Sequence, residues 1–224
     1  LTAFPVLFPG ADCRPAFWLV RAVALGAVAL ALAGVLLATA PAATGSPGES
    51  TVVLIHVPAA WLSLLLYAAA AGCAALMLAQ PLDGPARALH AIAPVGLAAS
   101  VVALASGLAS QRALGAWWGW DARLVCELVL LGLYGGVMAL RALAADAARA
   151  ERTVAVLVLV GALNIPAIYF SVNWWHTLHE RAAASVGTSP FAVAAMVVMT
   201  LAFCMFAGAV VLARLLSGAP KEQQ

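Results

Sequence analysis

Charge is what this sequence has least of. Asp, Glu, Lys and Arg make up 9% of its 224 residues, against 65% hydrophobic, and mean hydropathy is +1.04. A soluble domain carries about a quarter charged residues, and its apolar runs seldom reach the ~20 residues that cross a ~30 Å hydrocarbon core. A soluble bundle is therefore set aside in favour of a polytopic membrane protein. Cysteine is sparse and unpatterned: Cys13, Cys73, Cys126 and Cys204 form no C-x-x-C pair. Cys73 and Cys204 fall inside apolar runs, where a thiol packs as a small hydrophobe, so a disulfide framework or thiol redox site is not expected. Cys126, nearest the outer face, is the one to test for reactivity. No G-x-x-x-x-G-K-[ST] run cradles a phosphate, and a net charge of +2 with few exposed bases argues against nucleic acid. Any nucleotide hydrolysis that drives this protein belongs to another subunit.

What is present is apolar length. Six stretches can span: about Phe17–Thr39, Val53–Ala79, Leu89–Ser110, Arg123–Leu140, Thr153–Val172 and Phe191–Leu216. The expectation is an all-α polytopic membrane protein with six transmembrane helices, forming one domain over 1–224. The links at 39–52 and Gln80–Pro85 are rich in turn formers, while Ala144–Arg152 is charged and helix-prone. With both termini cytoplasmic, Arg14, Arg21, Arg87, Arg141, Arg149, Arg152, Arg214 and Lys221 lie inside. Only Arg112, Arg123 and Arg181 lie outside, as the positive-inside rule requires. The first span is longer than a signal-peptide core and is read as a membrane helix. Leu1 in place of Met is consistent with an alternative start codon or a trimmed chain.

This orientation puts the densest chemistry on the outer face. Trp117, Trp118 and Trp120 fall within four residues, followed by Asp121 and Arg123, in a loop at about 111–123. Tryptophans at membrane ends commonly form an interfacial belt, which suffices for Trp61, Trp174 and Trp175. Three in four residues beside an acid and a base exceed what anchoring needs, and suit a large flat ligand. Asp121 can also cap the helix that follows it. Arg123 can pair with Asp121, snorkel outward, or bind a carboxylate bidentately. His56 lies at the outer start of span two, where Pro58 places the helix start near Val57. His176 and His179 follow span five on the same side, whereas His90 lies near the cytoplasmic start of span three as an interfacial or hydrogen-bonded histidine. Imidazoles from the first and third outer loops thus flank the tryptophan loop, and neutral imidazole is a common axial ligand of haem iron. The alternative of zinc at His176-x-x-His179 lacks further ligands beside it.

Deeper polar residues are few. Glu127, one turn into span four, is costly there unless paired, protonated or close to the helix N-terminus, and is expected to support the loop from beneath. Asn164 and Pro166 predict a kink in span five with locally re-satisfied backbone groups. Gly132-x-x-x-Gly136 would let span four pack closely on a neighbour.

Gly115–Leu124 followed by Glu127-Leu128-Val129-Leu130-Leu131 resembles the WWD signature of haem-handling membrane proteins. Within that superfamily the chain most resembles the CcmC family of bacterial cytochrome c maturation. His56-Val57-Pro58-Ala59-Ala60 is similar to that family's first outer histidine motif, and Trp174-Trp175-His176-Thr177-Leu178-His179 to its second; the likeness covers essentially the whole chain. The resemblance implies haem presented at the outer face of the bacterial cytoplasmic (inner) membrane, with His56 and His179 as axial ligands to the iron. The loop residues Trp117, Trp118, Trp120, Asp121 and Arg123 would contact the macrocycle. It implies as partners a small periplasmic haem chaperone (CcmE-like) and an ABC-type ATPase with its membrane and small single-span subunits (CcmA-, CcmB- and CcmD-like). Leu114 stands where the family often carries tryptophan, so the aromatic platform is smaller. His176 occupies a position usually not histidine, and motif alignment favours His179 as the ligand.

The expected activity is haem binding and delivery, without bond chemistry by this chain alone. A cytochrome c haem-attachment synthetase is the first alternative, but such relatives are longer, with more spans. A permease subunit of a haem ABC transporter is the second; it would show an interior polar path, whereas the ionisable residues here cluster at the two faces.

Overall fold

The computed structural model describes residues 14–38, 47–80, 83–113, 122–174 and 190–217. These form α1 (Arg14–Ala38), α2 (Pro47–Ala79), α3 (Asp83–Ala113), α4 (Ala122–Leu143), α5 (Ala147–Gly161), α6 (Asn164–Trp174) and α7 (Pro190–Ser217), with no strand among the described residues. Among the described residues six spans are long and apolar enough to cross a bilayer: Phe17–Leu37, Val52–Ala79, Asp83–Ala109, Ala122–Leu143, Ala148–Phe170 and Pro190–Ser217. The protein is a multi-pass, all-helical membrane protein. Helix is the form that lets an apolar segment satisfy its own backbone groups in hydrocarbon.

Three corrections concern helix starts. Asp83, Gly84 and Pro85, read as part of the Gln80–Pro85 link, begin α3 instead. Pro47 and Gly48, read as part of a turn-rich link, begin α2 instead, and proline suits a first helical position because its missing N–H has no partner there. Pro58, read as the marker of the start near Val57, lies inside the helix with its ring fully buried. His56 therefore sits nine residues into α2, not at its mouth. The five residues following Pro47 carry the helix up to the apolar span, so Pro58 interrupts a helix already formed.

The fifth span is broken as Asn164 and Pro166 predict. α5 ends at Gly161, and the Leu163 N–H reaches the Val160 carbonyl (3.2 Å) and the Ile165 N–H the Ala162 carbonyl (3.1 Å). Pro166 has no N–H to offer Ala162, so the shorter bond takes its place. Asn164 Nδ2 donates across to the Cys126 carbonyl of α4 at 2.9 Å, tying the break to its neighbour.

The main core lies among α2–α6, around Leu64, Tyr67, Leu89, Leu130, Tyr134, Val158 and Ile168. α1 packs chiefly on α7 and hardly on α2, and Phe203 and Ala207 of α7 join this pair to α2 and α3. Leu25, Leu32, Leu36, Val197 and Leu201 stay exposed on the pair, as side chains facing lipid should. Gly136 meets Leu157 of α5, but Gly132 faces open space, so only half of the expected small-residue motif is a contact.

Candidate haem site at the His56 end of the bundle

Two cross-helix contacts define the ends of the bundle. At one, His90 Nε2 meets both Glu151 oxygens at 2.8 Å, with Arg141 Nε 3.9 Å from the same carboxylate, and Arg87 donates to the Leu215 carbonyl at 3.3 Å. His90 is thus hydrogen-bonded, as expected. At the other end His56, on α2, meets the last turns of α3.

The His56 contacts specify its tautomer. Nδ1 lies 2.9 Å from the Ala103 carbonyl and 3.2 Å from Ser106 Oγ. A carbonyl can only accept, so Nδ1 carries the hydrogen. Ser106 gives its own hydrogen to the Val102 carbonyl at 2.6 Å and presents a lone pair to the same N–H. In the neutral ring the remaining lone pair is on Nε2. A bond from one ring nitrogen to a carbonyl, with the lone pair on the other nitrogen, is how proteins orient metal-binding histidines.

Gly107 makes room for that ring. A Cβ there would stand 3.1 Å from His56 Cε1 and 2.8 Å from Leu124 Cδ2. Leu124 lies in the first turn of α4, so the start of α4 packs where His56 meets α3. Arg123, half-buried, is the neighbour of Leu124 and lies at the same end. α3 ends at Ala113 and α4 begins at Ala122, so both anchors of the tryptophan loop belong to this end. So does Trp174, because α6 runs ten residues, about 15 Å at helical rise, beyond the Asn164–Cys126 tie. Trp117, Trp118, Trp120, Asp121, His176 and His179 themselves lie outside the described residues. Trp61 is 44% exposed on the bundle surface, nine residues into the apolar span.

Sequence reasoning singled out Glu127 but missed the buried polar layer to which it belongs, two turns below His56. Ser63 Oγ lies 2.9 Å from Glu127 Oε1, and the Tyr134 hydroxyl donates to the Ser63 carbonyl at 2.8 Å. Tyr134 stacks edge-on against Tyr67, with ring centroids 5.1 Å apart. Gly96 admits the Tyr134 ring, since a Cβ there would overlap it. The expectation that ionisable groups keep to the two faces is therefore corrected: Glu127, Tyr67 and Tyr134 are buried within the bundle. The spacings Ser63/Tyr67 and Glu127/Tyr134 put each pair on one helix face, a signal that counting charges alone overlooks. Among the described residues no group of three His, Cys, Asp or Glu forms a metal site.

Fold and site together define a class: among the described residues, a six-span helical membrane protein with an oriented histidine at the end where the tryptophan-rich segment 114–121 joins α3 and α4. Residues 7–222 match the family described as Heme exporter protein C, and the chain belongs to this CcmC family. It is 42% identical over 142 residues to Heme exporter protein C of Escherichia coli K12, covering 63% of this chain and 58% of that one. Against the protein of the same name from Bradyrhizobium diazoefficiens it is 44% identical over 135 residues, 59% of this chain and 51% of that one. Against the ccmC-like mitochondrial protein of Marchantia polymorpha, described as a cytochrome c biosynthesis protein, it is 32% identical over 156 residues, 69% and 66% of the two chains. The chain thus spans somewhat more than half the length of the bacterial relatives it matches.

Proposed function

We propose that this protein handles haem for cytochrome c maturation. It holds haem at the outer face of the membrane between His56 and His179 and presents it to a periplasmic chaperone. Family membership supports the haem assignment. The observation that carries it to a residue is the His56 Nδ1–H···O=C bond to Ala103, which fits the ring to ligate iron through Nε2. His56, oriented in this way, suits haem iron, and in this reading His56 and His179 would hold the iron as neutral imidazoles and leave the porphyrin rim accessible. Haem supplies the reacting rim as cargo. The chain's own residues bind and orient it: Trp117, Trp118 and Trp120 as a platform, Arg123 and Asp121 for its polar edge.

The contribution to transfer is positioning, since fixing iron and rim brings the reactive edge to a partner nucleophile in one geometry. Partners in this reading are the periplasmic haem chaperone and an ABC-type ATPase with its membrane subunits. The chain itself catalyses no bond change alone. The test is transfer: purified protein loaded with haem is mixed with a chaperone of this class, and covalent haem on the chaperone is followed on a denaturing gel. Labelling with wild type and its loss with His56→Ala support the reading; equal labelling with both contradicts it.

A further inference from the structure

Glu127 is 4% exposed, enclosed by α2, α3 and α4. Its bonded neighbour, Ser63 Oγ, lies 2.9 Å from Glu127 Oε1 and 2.8 Å from the Ala60 carbonyl. The carbonyl can only accept, and a serine hydroxyl carries one hydrogen. If Glu127 were a carboxylate, the two short contacts would have to share that one hydrogen, weakening both. With Glu127 protonated both contacts are bonds: its O–H donates to Ser63 Oγ, and Ser63 donates to Ala60. The ion pairs among the described residues leave Glu127 out, joining Glu151 to His90 and Arg141 at the opposite end. Arg123, one turn up the same helix, acts on it only through space. From α3, the buried Ser100 hydroxyl also faces the carboxyl and has no other partner among the described residues. Tyr67 of α2 and Tyr134 of α4 are the other titratable groups of the layer, and Tyr134 is committed as donor to the Ser63 carbonyl. A charge here would also be buried with no ion pair among the described residues, a costly arrangement.

We infer that Glu127 is a positioning residue carried as the neutral acid, which donates to Ser63 and with Tyr134 fastens α4 to α2 below His56. Leu124, one turn above Glu127, packs where His56 meets Gly107, so this fastening sets the height of α4 against the histidine. It thereby sets where the tryptophan loop begins. The functional half of this inference rests on the haem reading above; the protonation state does not.

Two measurements on the full chain in lipid nanodiscs test it. Infrared spectra of haem-free protein at neutral pH should contain the carbonyl stretch of a protonated carboxyl. That band should vanish in Glu127→Gln and shift in Ser63→Ala. Absence of a band that Glu127→Gln removes would overturn the neutral acid. In haem titrations Glu127→Gln, whose amide can donate to Ser63, should keep affinity within about twofold, while Glu127→Leu should lose about tenfold or more. Wild-type affinity in Glu127→Leu, or an equal loss in Glu127→Gln, would overturn the positioning role. Should Glu127→Leu fail to accumulate, Ser63→Ala replaces it, with the same loss expected. A wild-type chain that shows the band but takes up no haem would sink the haem reading and the positioning role together, leaving the neutral acid standing.

Discussion

At the scale of single residues the site depends on how His56 is held. Its ring occupies space that exists because residue 107 has no side chain. Gly107→Val should displace the ring and Leu124 together and weaken haem binding by about tenfold or more, since overpacking of this kind costs about 1–3 kcal/mol. Gly132→Ala, with nothing within 4 Å of the added carbon, is the silent control. Haem titration of both variants checks the contrast. Protons compete with iron for the imidazole lone pair, so haem affinity should fall on acidification. An affinity indifferent to acid would argue against histidine ligation.

Among elements, the break between α5 and α6 is the clearest case of local sequence directing tertiary contact. Pro166 removes a backbone donor, the helix tightens, and Asn164 at the break reaches α4. Asn164→Ala should lower stability by about 1 kcal/mol, the typical worth of such a bond, seen as a lower thermal midpoint in detergent. This break was legible from Asn164 and Pro166 because a proline acts on its own helix. The positions of the spans were legible for a similar reason, since hydropathy is summed along the chain, but the third and fifth begin at Asp83 and Ala148 rather than at Leu89 and Thr153. Pro58 misled because the same residue marks a helix start or a proline within a membrane helix, and only the preceding turns decide which. The Ser63–Glu127 and Tyr134–Ser63 contacts were not legible at all: they join residues more than sixty positions apart, and neither helix shows its partner.

For the whole molecule, the two ends do different work. The His90–Glu151 pair joins α3 to α5 at the end away from His56, with the histidine side chain 9% and the glutamate 31% exposed. His90→Ala should lower the thermal midpoint, through a bond worth about 1 kcal/mol at this partly wet position, and leave the haem spectrum unchanged. A changed spectrum would mean that His90 belongs to the site. The pairing of α1 with α7, first span with last, was equally hidden in the sequence, because chain order does not dictate neighbours among spans that are apolar all round.

The central claim is that His56 and His179 are the two ligands of one haem. Absorption and electron paramagnetic resonance spectra of the purified, haem-loaded chain test it most directly. Wild type should give the low-spin, six-coordinate signature of two imidazoles. His56→Ala and His179→Ala should each lose it and recover it with added imidazole, and the double variant should bind haem without it. A double variant that keeps the wild-type spectrum would contradict the account.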